Sequence, residues 1–366
     1  MGVAHPSCRR RFAGLIAGVF YWAFIRLIKM RICFHRRTGL CFLILVALLT
    51  ALLSCAQFAD NGRANHRDRT GYLFTYFVKN GEDGLHLAAS LDGFQWQKIP
   101  RSENHWRPAI GNSKLMRDPS VVQGPDGTYH MVWTSGWNEN NIGYASTKDF
   151  INWSPQKEIP VMAHEPQVRN SWAPELVYDN INQQFMIFWS STIPGKFPET
   201  ENASEDKYNH RLYSTTTKDF ITFTPTELFY DPGFSVIDAT FLRFNGKLHF
   251  IVKDETRFPP KKYLQIASAK SMAGPFGQLS QPITEQGLWV EGPTGVQIGD
   301  AAFIYYDAYT THRFGALRST DLVNWEDVSA QMHFPDEGTA LRMRHGTVIP
   351  VPLALLEALG FDSEKH

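Results

Sequence analysis

The chain has 366 residues, with 36 Lys+Arg against 36 Asp+Glu, so no positive field draws in nucleic acid and no nucleic-acid partner is expected. Aromatic residues make up 13% and are spread along the chain, which suits strand-rich packing and flat stacking surfaces. All four cysteines, Cys8, Cys33, Cys41 and Cys55, fall in the first 55 residues, which excludes an internal disulfide from the remaining body.

Two apolar stretches lead the chain, Phe12 to Ile28 and Leu40 to Leu53, and the second follows the basic run His35-Arg36-Arg37 and ends in Leu52-Leu53-Ser54-Cys55. A charged lead, a short apolar run and a small residue before Cys predict a bacterial lipoprotein signal, cleaved before Cys55 and diacylated on its sulfur. Retention of one or both stretches as transmembrane helices is the competing reading, although Leu40 to Leu53 is too short to span a bilayer comfortably. Met30 can open the signal unaided, so residues 1–29 read as an over-extended start, 1–54 as leader and 55–69 as linker. The expected destination is a bacterial cell envelope, outer membrane or periplasm, with the membrane reached through the lipid on Cys55.

Beyond the linker a short pattern recurs. It runs Ser90-Leu91-Asp92-Gly93-Phe94-Gln95-Trp96, Ser146-Thr147-Lys148-Asp149-Phe150-Ile151-Asn152-Trp153 and Thr216-Thr217-Lys218-Asp219-Phe220-Ile221-Thr222-Phe223. A degenerate copy follows at Ser268 to Phe276, and a fifth at Arg318-Ser319-Thr320-Asp321-Leu322-Val323-Asn324-Trp325. Apolar strands such as Tyr129 to Trp133 and Phe185 to Trp189 precede the copies. Repeats of this length, each built of several short strands, predict an all-β fold, a five-bladed propeller over residues 70–355 with a tail at 356–366. A second series marks the inner strands: Arg117-Asp118-Pro119-Ser120, Trp172-Ala173-Pro174-Glu175, Ile237-Asp238-Ala239-Thr240, Glu291-Gly292-Pro293-Thr294 and Arg344-His345-Gly346-Thr347. The first repeat has no such segment before it and the last segment has no repeat after it, so the C-terminal strand is expected to close the ring by completing the first blade.

Strict alternation directs Asp118 and Ser120, Ala173 and Glu175, Asp238 and Thr240, Gly292 and Thr294, and His345 and Thr347 toward the axis. Glu291 stands one place before the aligned position and depends on its strand start and longer reach. A single acid at a strand start usually caps a turn. Three acids in register in a repeat converge on one mouth of the tunnel and can divide acid and base work.

The segments around Asp118, Asp238 (Val-Ile-Asp-Ala-Thr) and Glu291 (Val-Glu-Gly-Pro-Thr) resemble the three catalytic segments of glycoside hydrolase family 43, over about residues 70 to 350. The resemblance implies arabinofuranosidase, arabinanase or xylosidase chemistry, with Asp118 as general base, Glu291 as general acid, and Asp238 orienting the acid and keeping it protonated by like-charge repulsion. Inversion needs one ionised and one protonated carboxyl about 6.5–9.5 Å apart. Related five-bladed fructosidases that retain configuration carry an Asn-Asp-Pro nucleophile near the start of the domain; Tyr72 to Asn80 holds no such acid, which favours inversion. The resemblance also implies a histidine on the axis, near a calcium ion with water ligands. His345 therefore reads either as neighbour to a structural calcium or as a hydrogen-bonded core residue, and no cofactor is required.

Loops on the same mouth offer Arg169, Asn209, His210 and Tyr309 and, as the leading substrate contacts, Trp137, Asn170, Trp172, Phe234, Arg313 and Arg344. Trp172 is a stacking platform or, alternatively, packs between blades. The insertion Ser191 to Asn209 is expected to overhang the mouth and block extended chains, which makes the pocket exo-acting. The expected protein is a monomeric, inverting glycoside hydrolase releasing a terminal furanosyl residue, α-L-arabinofuranose first, from plant-type carbohydrate. A β-xylosidase, a β-galactofuranosidase and a non-catalytic glycan-binding propeller lipoprotein are the alternatives. Retention of all three acids favours the enzyme.

Overall fold

The computed structural model describes residues 69–100 and 106–365. The leader, Cys55 with its expected lipid, and all but the last residue of the linker lie outside the described residues. Among the described residues no helix is long and apolar enough to cross a membrane.

Nineteen strands form five sheets among the described residues. The first sheet begins with β1 (Thr70–Tyr76), β2 (His86–Ser90) and β3 (Gln97–Lys98). The second holds β4 (Arg117–Gln123), β5 (Tyr129–Thr134), β6 (Ile142–Thr147) and β7 (Lys157–Ile159). The third holds β8 (Trp172–Asp179), β9 (Gln184–Ser191), β10 (Arg211–Thr217) and β11 (Glu227–Tyr230). The fourth has three strands, β12 (Val236–Phe244), β13 (Lys247–Asp254) and β14 (Tyr263–Ala269), and the fifth has β15 (Glu291–Ile298), β16 (Ala301–Ala308), β17 (Arg313–Ser319) and β18 (Glu326–Asp327). The last strand, β19 (Gly346–Pro352), pairs antiparallel with β1 from Thr70↔Pro352 to Tyr76↔Gly346 and completes the first sheet. Each of β4, β8, β12, β15 and β19 touches the next around a closed circuit, so the architecture is a five-bladed propeller sealed by its own C-terminal strand.

The recurring Ser/Thr-x-Asp pattern explains how four blades turn from their third strand to their outer strand. In the second blade Asp149 Oδ1 accepts from the amides of Ile151 and Asn152 at 2.9 and 2.7 Å, and Thr147 Oγ1 accepts from Phe150 N at 3.0 Å. Asp92, Asp219 and Asp321 repeat this arrangement, so each aspartate satisfies amides that no strand partner reaches. The degenerate copy has no aspartate at this place, and its blade is the one with three strands, ending in an isolated bridge from Ala269 to Phe276.

Every blade buries both faces, and the apolar core is divided into five clusters, one at each blade junction. Strand period does the sorting. On β9, Phe185, Ile187 and Trp189 join the cluster shared with the second blade, whereas Met186 and Phe188 join the one shared with the fourth. On β16, Ala302, Ile304 and Tyr306 face the fourth blade while Phe303 and Tyr305 face the first. A helix, Leu353–Ala358, follows β19 directly, and Leu353, Leu356, Leu359 and Phe361 are buried with the first-blade core. The propeller therefore packs as far as Phe361, and the expected boundary after residue 355 falls inside this helix.

Candidate active site

Four inner strands share one irregularity that decides the site. Opposite their second strands, the pairing slips between Arg117 and Ser120, Trp172 and Glu175, Ile237 and Thr240, and Glu291 and Thr294. The second residue of each has positive φ: Asp118 at 52°, Ala173 at 46°, Asp238 at 52° and Gly292 at 60°. Two residues thus face one partner, and the bulge breaks the alternation on which the sequence reading relied. Consecutive residues now reach the same space: Arg117 with Asp118, Trp172 with Ala173, and Ile237 with Asp238 all line a cavity of about 310 Å³. The same bulge explains why Glu291 reaches the cavity from one place earlier. At Gly292 a Cβ would stand 2.4 Å from His345 Cγ, so a side chain there would force His345 to move.

Asp118, Asp238 and Glu291 come together in this cavity from three blades, as expected. Asp118 accepts from Thr134 Oγ1 at 2.7 Å and lies 3.2 Å from His345 Nδ1. Burial opposes its charge, but the His345 hydrogen bond and positive charge, with help from Arg117, outweigh burial and hold the Asp118 carboxyl down at about 2. The same bond overcomes burial at His345 and lifts it to about 9, so the pair is an imidazolium and a carboxylate. Asp238 accepts from Gly292 N at 2.9 Å and is 6% exposed; burial pushes it up to about 6, against the pull of His345 and Lys253. Glu291 keeps a quarter of its side chain exposed and accepts from Arg344 Nη2 at 2.6 Å, with Lys253 Nζ at 3.7 Å. Burial raises its proton affinity, and Lys253, Arg344 and Arg117 together bring it below the ordinary value. Burial thus favours the proton on Asp238 while the neighbouring cations disfavour it on Glu291, whereas the sequence reading expected Asp238 to keep Glu291 protonated.

The cations beside the acids are themselves anchored. Fully buried Asp307 accepts from Arg342 Nη1 at 2.7 Å and Arg344 Nε at 2.8 Å, which fixes the guanidinium against Glu291. Lys253, 2% exposed, pairs with Glu255 at 2.6 Å. The sequence reading assigned no role to Arg117, Lys253, Glu255 or Asp307. A signal for two of them existed: Thr134, Ser190, Lys253 and Asp307 stand opposite the residue just before the bulge on four inner strands and form a further aligned series.

The expected substrate contacts divide. Trp137, Trp172, Tyr309 and Arg344 line the cavity. Trp172 donates Nε1–H to Trp137 O at 2.8 Å and meets the Trp137 ring edge-on at 5.4 Å. Within the insertion, Tyr208 packs on Trp172 at 4.8 Å and lies under the Arg169 guanidinium at 3.7 Å. Asn170 does not face the cavity: it is fully buried, and its amide is spent on Ser190 O and Thr192 N. Phe234 packs against the core between the third and fourth blades, and Arg313 lines a neighbouring cleft instead. Asn209 and His210 are also buried; Asn209 holds Thr200 and Ser204, and burial drives His210 down to about 3.

The groups nearest His345, Asp118 and Glu175, are each bonded within the protein. The histidine is a cation committed to Asp118, and Glu175 is buried, bonded to Thr240 Oγ1 and raised in pKa by burial. Calcium takes six to eight oxygen ligands, and among the described residues no group of three or more His, Cys, Asp or Glu side chains is arranged to hold a metal.

Known proteins resemble parts of this chain. An α-L-arabinofuranosidase of Bifidobacterium longum subsp. longum is 25% identical over 234 residues, covering 58% of this chain and 21% of that protein, so the chain spans about a fifth of that curated relative. Among solved structures, the α-L-arabinofuranosidase of Lactobacillus brevis superposes with a TM-score of 0.45 at 16% identity, covering 58% of this chain and 72% of that one. The arabinanase of Bacillus subtilis superposes with a TM-score of 0.44 at 13% identity, covering 60% and 77%. The family 43-related glycosyl hydrolase domain, described as "Probable glycosyl hydrolase domain", matches residues 68–357, all five blades, and the chain belongs to this family of glycosidases.

Proposed function

We propose that the chain is an inverting, exo-acting glycosidase that releases one terminal furanosyl residue, α-L-arabinofuranose, from plant-type glycan. The observation that carries the reading is the convergence of Asp118, Asp238 and Glu291 from three blades in a cavity sized for one sugar, and the shifts of their proton affinities agree with divided acid and base work. Asp118 is held ionised down to about 2, while the Asp238 and Glu291 pair retains a proton up to about 6. The volume of about 310 Å³ is at the lower end for ligand pockets. Asp118 takes the proton of the attacking water. Asp238 stores the proton in the free site, and Glu291, longer and partly exposed, passes it to the departing oxygen. His345 keeps Asp118 ionised and oriented, and Arg344 fixes Glu291. Trp137 and Trp172 supply the aromatic wall against which an apolar sugar face rests. The arabinofuranosidase relative supports arabinose as the glycone.

Asp118→Asn should abolish turnover of every substrate, because water needs a proton acceptor whatever leaves. Glu291→Gln should nearly abolish hydrolysis of natural glycosides but spare nitrophenyl glycosides, which depart with little protonation. NMR of the first-formed sugar should show the inverted anomer. A retained anomer, or equal loss on both leaving groups in Glu291→Gln, overturns the roles; a nitrophenyl panel in which xyloside or galactofuranoside is preferred overturns the glycone.

A further inference from the structure

A second cleft, about 1030 Å³, borders the catalytic cavity, and Tyr309 and Arg344 line both. Its charged lining is lopsided. Lys79, Arg313, Arg342 and Arg344, with His312, stand against a single acid, Glu337. Two of these cations are already neutralised, since Arg342 and Arg344 share Asp307 and Arg344 also holds Glu291. Lys79 and Arg313 are exposed on the rim, and among the described residues neither side chain has an ion-pair partner. The loop carrying Lys79 is tied to the site, because its carbonyl accepts from Arg344 Nη1 at 3.2 Å.

The direction of the reaction follows from Glu291. An acid delivers its proton to the leaving oxygen, and Glu291 is bonded to the one arginine that borders both spaces. We infer that the larger cleft receives the leaving-group portion of the glycan and selects there an anionic sugar unit, bearing a carboxylate or a sulfate ester, through Lys79 and Arg313. The leaving-group placement rests on the reading of Glu291 as the acid; the preference for an anion rests on the lining alone. A cleft of this volume has room for several sugar units. A neutral unit leaves both cations to water, whereas an anionic one makes charge-assisted bonds with an ammonium and a guanidinium fork.

The test is calorimetric titration of the full chain with trigalacturonate, a sulfated galactotriose and neutral galactotriose, at low and high salt. At least one anionic probe should bind about tenfold or more tightly than the neutral one, weaken with salt, and lose most of that advantage in Lys79→Gln/Arg313→Gln. The tighter of the two anionic probes identifies the group selected. Equal affinity for charged and neutral probes, no binding of any probe, or an unchanged preference in the double variant overturns the inference. Turnover of the nitrophenyl glycoside panel is scored separately: anion binding without turnover of any member sinks the proposed catalytic roles and with them the leaving-group placement, whereas turnover without anion preference sinks the cleft alone.

Discussion

At the scale of residues, this site is governed by which charge stands next to which carboxyl. Asp118 and His345 hold one another charged, while Asp238 and Glu291 compete for one proton under opposite influences, burial at Asp238 and cations at Glu291. On the proposed roles, the active form has Asp118 ionised and the pair singly protonated. Activity should therefore fall on the alkaline side as the pair loses its proton near pH 6, and on the acid side below the ordinary carboxylate range, as Glu291 takes a second proton and Asp118 its own toward pH 2. Arg344 lowers the proton affinity of Glu291, so removing its charge must raise it. In Arg344→Gln the alkaline limb of kcat/KM should move to higher pH, whereas a purely structural arginine would lower the whole profile without moving the limb.

At the scale of elements, the inner-strand bulge and the outer turn do different work. The bulge aims acids into the cavity, and it is paired with a positive φ at Asp118 and Asp238 that the surrounding blades must impose. The outer turn only ends a blade, and it depends on one aspartate. Asp149→Ala removes the acceptor for Ile151 N, Asn152 N and Asn152 Nδ2 at an exposed turn, where water replaces part of the loss. It should lower stability by about 1 kcal/mol, read from the urea midpoint, and leave kcat/KM unchanged because the turn lies away from the cavity. A change in turnover would mean that the outer turns position the inner strands.

At the scale of the whole molecule, closure couples the chain ends to the chemistry. β19 completes the first blade and also follows Arg344 and His345, so the strand that seals the ring delivers the cation beside Glu291 and the partner of Asp118. Deleting the chain from Arg344 onward should abolish cooperative unfolding of a native domain, since Val348, Val351, Leu353, Leu356 and Phe361 leave two core clusters together. Gly346→Ala tests closure more finely. A Cβ there would stand 1.8 Å from Thr75 O, within the β1 pairing, so this one methyl should lower Tm by several degrees. Truncated protein that melts at the full-length temperature would show that the ring closes without this strand.

The propeller, its five inner strands and its closure were legible in the sequence because a repeat writes the same pattern five times, and strand period can be read without knowing any contact. Asp118 and Asp238 were legible for the same reason, as members of an aligned series, whereas Glu291 stood one place before the aligned position. What alternation could not supply was their side-chain direction: a bulge changes the count of residues on one strand against its neighbour, and that neighbour is chosen by pairing. Asn170 and Phe234 were misplaced because loop residues carry no periodic signal, and only packing decided that Asn170 would spend its amide on Ser190 and Thr192. Proton affinities were equally out of reach. They depend on Lys253, Arg344 and His345 standing within a few ångströms of acids from other blades, and a Coulomb interaction is set by separation in space, which the order of residues along the chain does not specify.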